Sequence, residues 1–294
     1  DVLLGEFLSQ QNILADVVAS AEDAVEQMKL KEYAVLLTDK NLPGMDGIEL
    51  LKQSKEQWPQ TEVVVITGYA SVESALDAIA AGAFDYIPKP FPSLTYVSQK
   101  TRGAMARHDF EVRVIAMVDF LKDAFKEMIE NLGAEEKSDW VGKLKGALTD
   151  PKQDDGAHIV VVGPPSLANS VEAAGFRVTQ VEDIGSVVPA VSEQQVNVVV
   201  YAESEEGPDG GEAVNQIHGV NPNVGVFVIA REGDLSRIVS AIGIGVGDYL
   251  VRPLEGRELF TPRLKRLVER QKRILRYRNV LDTLKKLNID LMTT

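Results

Sequence analysis

The sequence has no cysteine and only three histidines among 294 residues. The first absence excludes a disulfide scaffold, thiolate metal sites and cysteine nucleophiles, and it fits a reducing cytoplasm. The second makes a zinc site a poor expectation, because the histidines are scattered. No apolar run approaches the roughly 18 residues a membrane span needs, and no signal-peptide pattern is seen, so a cytoplasmic location is expected. Net positive charge is missing too: Asp and Glu number 44 against 31 Lys and Arg, a balance of -13. A chain that acidic repels nucleic acid unless its basic residues are gathered in one place. They are gathered in Gly256 to Thr294, where eleven Lys or Arg face four acidic residues. The aromatic interleaving of a single-strand nucleic-acid binder is absent there, and a solvated helix face accounts for the charge better. No Walker A loop, helix-turn-helix or cyclase signature occurs, so no effector activity is readable.

What is present is an ordinary globular composition, with 45% hydrophobic and 26% charged residues, enough to bury real cores. The length calls for two globular units with connecting helices. From Asp1 to about Pro92, helical periodicity alternates with short β-branched runs, the pattern of a parallel sheet wrapped by helices. The spacing predicts helices Val2 to Gln10, Gly47 to Ser54 and Val72 to Ala81, and another from near Ser93. A further helix is opened by "SAED", where Ser20 and Asp23 can form a capping box. Strands are expected at Asp16 to Ala19, Ala34 to Thr38, Glu62 to Thr67 and Phe84 to Ile87.

An internal repeat extends this reading. "VVVITGYASVESALDAIAAGAFDYIPKP" from Val63 aligns without a gap to "VFVIAREGDLSRIVSAIGIGVGDYLVRP" from Val226. Gly82 falls on Gly245, Asp85 on Asp248, Tyr86 on Tyr249 and Pro90 on Pro253. A match over a whole strand-helix-strand unit points to two copies of one fold. The second copy, about His158 to Arg270, opens with "HIVVVG" and a shortened helix Ser166 to Ala174, and takes "VNVVVYA" as its third strand. The expected class is α/β, two parallel sheets joined by a helical linker. The division is 1-92, 93-155, 156-262 and 263-294.

Between the copies, Phe110, Val114, Met117, Leu121, Ala124, Met128 and Asn131 keep a 4-3 spacing, so the helix from Ser93 to Leu132 would carry a coiled-coil-like seam. Helix Ser138 to Leu148 and the acidic linker "TDPKQDDG" follow. At the far end Leu267, Arg270, Ile274, Tyr277, Leu281, Leu284, Asn288 and Leu291 repeat the heptad. Asn288 at a seam position could set register in a parallel pair.

In an open parallel sheet, ligands bind beyond the carboxyl ends of the strands. Asp39, Thr67 and Lys89 each fall at such an end. A carboxylate can act as nucleophile towards a phosphoryl group, while a hydroxyl and an ammonium bind the product oxygens. A divalent cation would neutralise charge, and Mg²⁺ prefers oxygen donors. Taken singly, an aspartate at a strand end is more often a turn or helix cap; the three residues together favour the chemical reading.

"LLTDKNLPGMDG", "VVVITGYAS" and "GAFDYIPKPF" resemble the receiver domain of bacterial two-component response regulators, especially those attached to transcriptional activators. The resemblance covers about 92 residues and implies that both sheets are flavodoxin-like, doubly wound and five-stranded. It implies that Asp39 is the phospho-acceptor, charged by a histidine kinase or phosphotransfer protein. It further implies that the Asn41 backbone carbonyl ligates Mg²⁺, that Thr67 and Tyr86 are the switch hydroxyl and aromatic, and that Lys89 binds phosphate, with a cis bond before Pro90 aiming it. Gly44 and Gly47 permit the tight loop after Asp39. The sequence departs from the family at its start. The family's first strand, with a metal-binding acidic pair after it, has no counterpart ahead of the first helix, so residues upstream of Asp1 are expected in the natural protein.

The second copy carries Ala202, Ala230 and Arg252 at the equivalent positions, and Tyr249 at the aromatic one. It resembles a pseudo-receiver that cannot be phosphorylated. Glu203 reads as a solvated side chain rather than a stand-in for a phospho-aspartate. The chain is then a signalling phospho-acceptor, and its output would be a change in helix pairing, within a dimer or towards a partner. The competing readings are a constitutive scaffold, or the regulatory fragment of an effector lying beyond Thr294.

Overall fold

The computed structural model describes residues 2–131, 156–193, 196–253 and 257–286. In the first half these form α1 (Val2–Gln10), α2 (Ala21–Leu30), β1 (Val35–Asp39), α3 (Gly47–Gln57), β2 (Glu62–Thr67), α4 (Val72–Ala81), β3 (Asp85–Pro88) and the long α5 (Leu94–Asn131). The second half contains β4 (His158–Val162), α6 (Pro165–Ala173), β5 (Arg177–Val181), α7 (Val187–Glu193) and β6 (Val198–Ala202). It continues with α8 (Gly210–Val220), β7 (Gly225–Ala230), α9 (Leu235–Ile244), β8 (Asp248–Val251) and α10 (Arg257–Lys286). The protein is α/β, with two separate sheets. The expected helix Ser138 to Leu148, most of the acidic linker, and Asn288 and Leu291 lie outside the described residues. So do the seam side chains Leu121, Ala124, Met128, Asn131, Tyr277, Leu281 and Leu284.

The first sheet has three parallel strands in the order β1-β2-β3, not five. Every residue of β2 is buried, as expected for a central parallel strand covered on both faces. On one face Leu4 and Leu8 of α1 and Val97 and Ala104 of α5 pack with Val64 and Ile66. Val25 of α2 and Leu50 of α3 share a separate cluster with Leu36. The one carboxylate in β2, Glu62, is buried because it has partners: Lys55 Nζ at 3.1 Å and Arg107 Nε at 2.9 Å.

The expected strand Asp16 to Ala19 is irregular chain. A strand exists only as part of a ladder, and β1 ends the sheet on that side, so among the described residues this segment has no strand beside it to pair with. After it, Ser20 caps α2 by accepting from the Asp23 N–H, and its hydroxyl donates to the Asp23 carboxylate at 2.8 Å. Ser71 and Ser74 form a reciprocal capping box at the start of α4.

The second sheet has five strands in the order β5-β4-β6-β7-β8, with β4 parallel to both β5 and β6. Numbered within that half the order is 2-1-3-4-5, a doubly wound arrangement in which the first strand is central. All residues of β4, β6 and β7 are buried.

On α5, Val114 and Val118 are buried, whereas Phe110, an expected seam position, is 62% exposed. On α10 Leu267 is buried and Ile274 half-buried. Among the described residues, no helix is long and apolar enough to cross a membrane.

Candidate functional site

The site lies where β1, β2 and β3 end. Parallel pairing sets Asp39 opposite Ile66 and Thr67 opposite Pro88, so the three strands finish at one level. Backbone bonds continue the alignment past the strands, from Lys40 N to the Ile66 carbonyl at 2.9 Å and from Lys89 N to the Thr67 carbonyl at 2.6 Å. This places the Lys89 side chain over Asp39. Its Nζ donates to Asp39 Oδ2 at 2.8 Å. The other carboxylate oxygen, Oδ1, accepts from the Asn41 N–H at 2.9 Å. Both side chains remain partly open, Asp39 at 25% and Lys89 at 30%, so an incoming group can reach the carboxylate.

The loop after Asp39 is shaped by two glycines. Gly44 has φ of 81°, in the left-handed region. At Gly47 a Cβ would come within 2.2 Å of the Asp39 carbonyl oxygen, so no other residue fits without moving the backbone. Asp46 then caps α3, accepting from the N–H groups of Ile48 and Glu49 at 2.8 Å. Glu22 of α2 holds the loop from outside by accepting from the Met45 N–H at 3.2 Å.

Each residue expected at the site can now be placed. Asp39 and Lys89 are in contact, and Asn41 turns its N–H to Asp39. Thr67 is fully buried, with Oγ1 accepting from the Tyr69 N–H at 3.1 Å, and it joins the group through its strand position. The bond from Lys89 to Pro90 is cis, as is that from Arg252 to Pro253. Tyr86 is fully buried and its hydroxyl lies 2.7 Å from Ser74 Oγ on α4. Reasoning from the sequence missed Ser74 and Glu22. Ser74 was visible only as a polar residue in the first turn of a helix, and Glu22 only as part of "SAED".

Asp85, beside Tyr86, is buried and paired with Lys100 at 2.7 Å. Burial works against the charge on Lys100, but the hydrogen bond and charge of Asp85 outweigh it and hold the ammonium above the ordinary lysine range.

In the second half the equivalent positions hold no such chemistry. Ala202 and Ala230 are buried, Tyr249 is buried like Tyr86, and Arg252 is exposed. Glu203 corrects the reading of a solvated side chain, since it is only 5% exposed. Position 202 ends a fully buried strand, and its neighbour is enclosed with it.

Residues 2–98 match the family model described as the response regulator receiver domain. Over 89 residues the chain is 36% identical to the DNA-binding transcriptional regulator NtrC of Proteus hauseri, covering 30% of this chain and 19% of that protein. Over 93 residues it is 40% identical to the C4-dicarboxylate transport transcriptional regulatory protein DctD of Pseudomonas aeruginosa, covering 31% and 20%. The chain thus spans about a fifth of the length of these curated relatives. Among solved structures, a response regulator receiver domain protein from Methanospirillum hungatei aligns at 17% identity with a TM-score of 0.36, over 41% of this chain and 99% of that one. The N-terminal region is a receiver domain homologous to those of two-component response regulators.

Proposed function

We infer that the protein is a two-component response regulator in which Asp39 accepts a phosphoryl group from a histidine kinase or phosphotransfer protein. The observation that carries this reading is the 2.8 Å contact between Lys89 Nζ and Asp39 Oδ2 at the open end of the sheet. An Asp39 carboxylate oxygen attacks phosphorus, the bond from phosphorus to the donor nitrogen breaks, and an acyl phosphate remains on Asp39. Lys89 shifts from the carboxylate to the new phosphoryl oxygens, where its charge offsets theirs. The Thr67 hydroxyl takes a second oxygen when it releases the Tyr69 N–H.

The donors fit Mg²⁺. Asp39 offers a carboxylate and Asn41 a carbonyl, hard oxygens of the kind this ion takes alongside waters and a phosphate. Among the described residues no group of three or more His, Asp or Glu is gathered as a metal cage. Bound there, Mg²⁺ would neutralise charge on the transferring group.

The second half is a pseudo-receiver, with Ala202 and Ala230 in place of acceptor and hydroxyl. Tyr86 and its helices carry the change outward, and the seams on α5 and α10 transmit it by pairing within a homodimer in the cytoplasm. Fluorine NMR with beryllofluoride and Mg²⁺ tests the site: one bound signal is expected, removed by Asp39→Ala. A bound signal that survives this substitution contradicts the assignment.

A further inference from the structure

α4 and β3 are repeated later in the chain as α9 and β8. Val72–Ala81 falls on Leu235–Ile244 and Asp85–Pro88 on Asp248–Val251, with both ends of each pair at one constant offset. By their packing, α9 and β8 belong to one compact unit with the first sheet. Within that unit the copies touch each other: α4 packs on α9 and on β8, and α9 packs in return on β3. Each helix therefore meets both its own repeat and the strand that follows that repeat. This is the pattern of an isologous two-fold dimer, in which one patch meets itself, but here both patches lie in a single chain.

Two glycines let the surfaces close. At Gly233, just ahead of α9, a Cβ would lie 3.1 Å from the Cγ1 of Val72, the first residue of α4. At Gly243, near the end of α9, a Cβ would lie 3.1 Å from Lys100 Nζ, the cation paired with buried Asp85 of β3 at 2.7 Å. A second copy of the chain, offering its own α4 and β3, is the competing occupant of this face. The segment already attached has the advantage, because attachment raises its effective concentration above that of a separate molecule. The face also begins close to the phospho-acceptor site. Thr67 Oγ1 accepts from the Tyr69 N–H at 3.1 Å. Only Ala70 and Ser71 separate Tyr69 from Val72, and Ser71 is the N-cap of α4. A Thr67 hydroxyl that turns to a phosphoryl oxygen releases the Tyr69 N–H, and with it the segment that sets Val72 against Gly233.

We propose that α9 and β8 are a built-in docking partner for the face formed by α4 and β3, holding the place a second copy would otherwise take, and that a phosphoryl group on Asp39 loosens this contact at Val72. The docking stands on packing alone. Its response to phosphorylation rests on the reading of Asp39 as the acceptor.

The chain has no cysteine, so one engineered pair reports the contact without background. The test places Val72→Cys and Gly233→Cys together in the full chain. The Gly233 position lies against a methyl one bond from the Val72 Cβ, within reach of a disulfide, and neither residue is in the buried core. Under a mild oxidant, a faster-migrating monomer with an intrachain disulfide is expected on non-reducing electrophoresis. A product of doubled mass, or no disulfide, overturns the docking. As a second variant, Gly243→Trp drives a ring towards Lys100 and is expected to speed amide hydrogen exchange in α4 at least about tenfold. Unchanged exchange there also overturns the docking. With beryllofluoride and Mg²⁺, closure of the disulfide is expected to slow at least about fivefold, an effect that disappears when Asp39→Ala is added. Fluorine NMR on the same sample separates the two claims. A bound signal with an unchanged or faster closure overturns the response alone, whereas absence of the signal overturns the reading of Asp39 and the response with it.

Discussion

The Tyr86 hydroxyl lies 2.7 Å from Ser74 Oγ, with Tyr86 fully buried in β3 and Ser74 buried at the start of α4. Ser74 also belongs to the capping box with Ser71, so one hydroxyl ties the ring of Tyr86 to the helix that follows β2. Removing the serine hydroxyl takes the partner from the buried Tyr86 hydroxyl and breaks the capping box, whereas removing the phenol hydroxyl leaves Ser74 Oγ bonded to Ser71. Ser74→Ala and Tyr86→Phe are each expected to cost about 1–3 kcal/mol. The double variant should cost less than their sum, with a coupling near 1 kcal/mol in a chemical-denaturation cycle. Additive losses would show that the contact carries no energy.

Lys89 is expected to matter to chemistry more than to folding. Its pair with Asp39 is open to water, so Lys89→Ala should change stability by less than about 1 kcal/mol. In the proposed reaction its charge faces the phosphoryl oxygens, and the variant should be phosphorylated roughly a hundredfold more slowly. Lys89→Arg is expected to recover only part of the rate, because a planar fork replaces a compact ammonium. A stopped-flow or gel time course with a small phosphodonor measures both.

Gly47 admits no side chain, since a Cβ would meet the Asp39 carbonyl oxygen at 2.2 Å and the Lys40 Cα at 2.9 Å. Both are backbone atoms, so the strand end itself has to move. Gly47→Ala is expected to destabilise the fold by about 1–3 kcal/mol. It should also slow phosphorylation of Asp39 at least tenfold, because a displaced nucleophile loses its alignment. Thermal melts and the same time course check the two effects separately.

His158 makes the second half sensitive to acid. The residue is 2% exposed, its Nε2 lies 2.8 Å from Thr179 Oγ1 and its Nδ1 has no hydrogen-bond partner. Burial, and then the charge of Arg177, push its pKa below the ordinary value of about 6.5. The folded state therefore favours the neutral ring. Its contribution is complete above the ordinary value and is lost as pH falls through the lowered one. Stability between pH 7 and pH 5 should decline in the native protein and flatten in His158→Leu, as thermal melts across that window would show.

Much of the fold was legible because its signals are local. β2 and α4 fall where their patterns placed them, one a continuous apolar run and the other opened by Ser71 and closed before Gly82. α3 runs past the expected Ser54 to Gln57, since Lys55, Glu56 and Gln57 are good helix formers and the break comes only at Trp58 and Pro59. The failure at Asp16 to Ala19 has the opposite cause. Alternation of side chains is a local property, whereas a strand needs a neighbour that local sequence cannot supply. At the site, Asp39, Thr67 and Lys89 were readable from their places at strand ends. Ser74, Glu22 and the burial of Glu203 were not, because each depends on which elements pack together.

The account rests on Asp39 as the single phospho-acceptor. Phos-tag electrophoresis after treatment with acetyl phosphate and Mg²⁺ tests it most directly. One retarded band is expected for the native chain and none for Asp39→Asn, with Glu203→Ala unchanged. A retarded band that persists in Asp39→Asn, or a native chain that shows none, would contradict it.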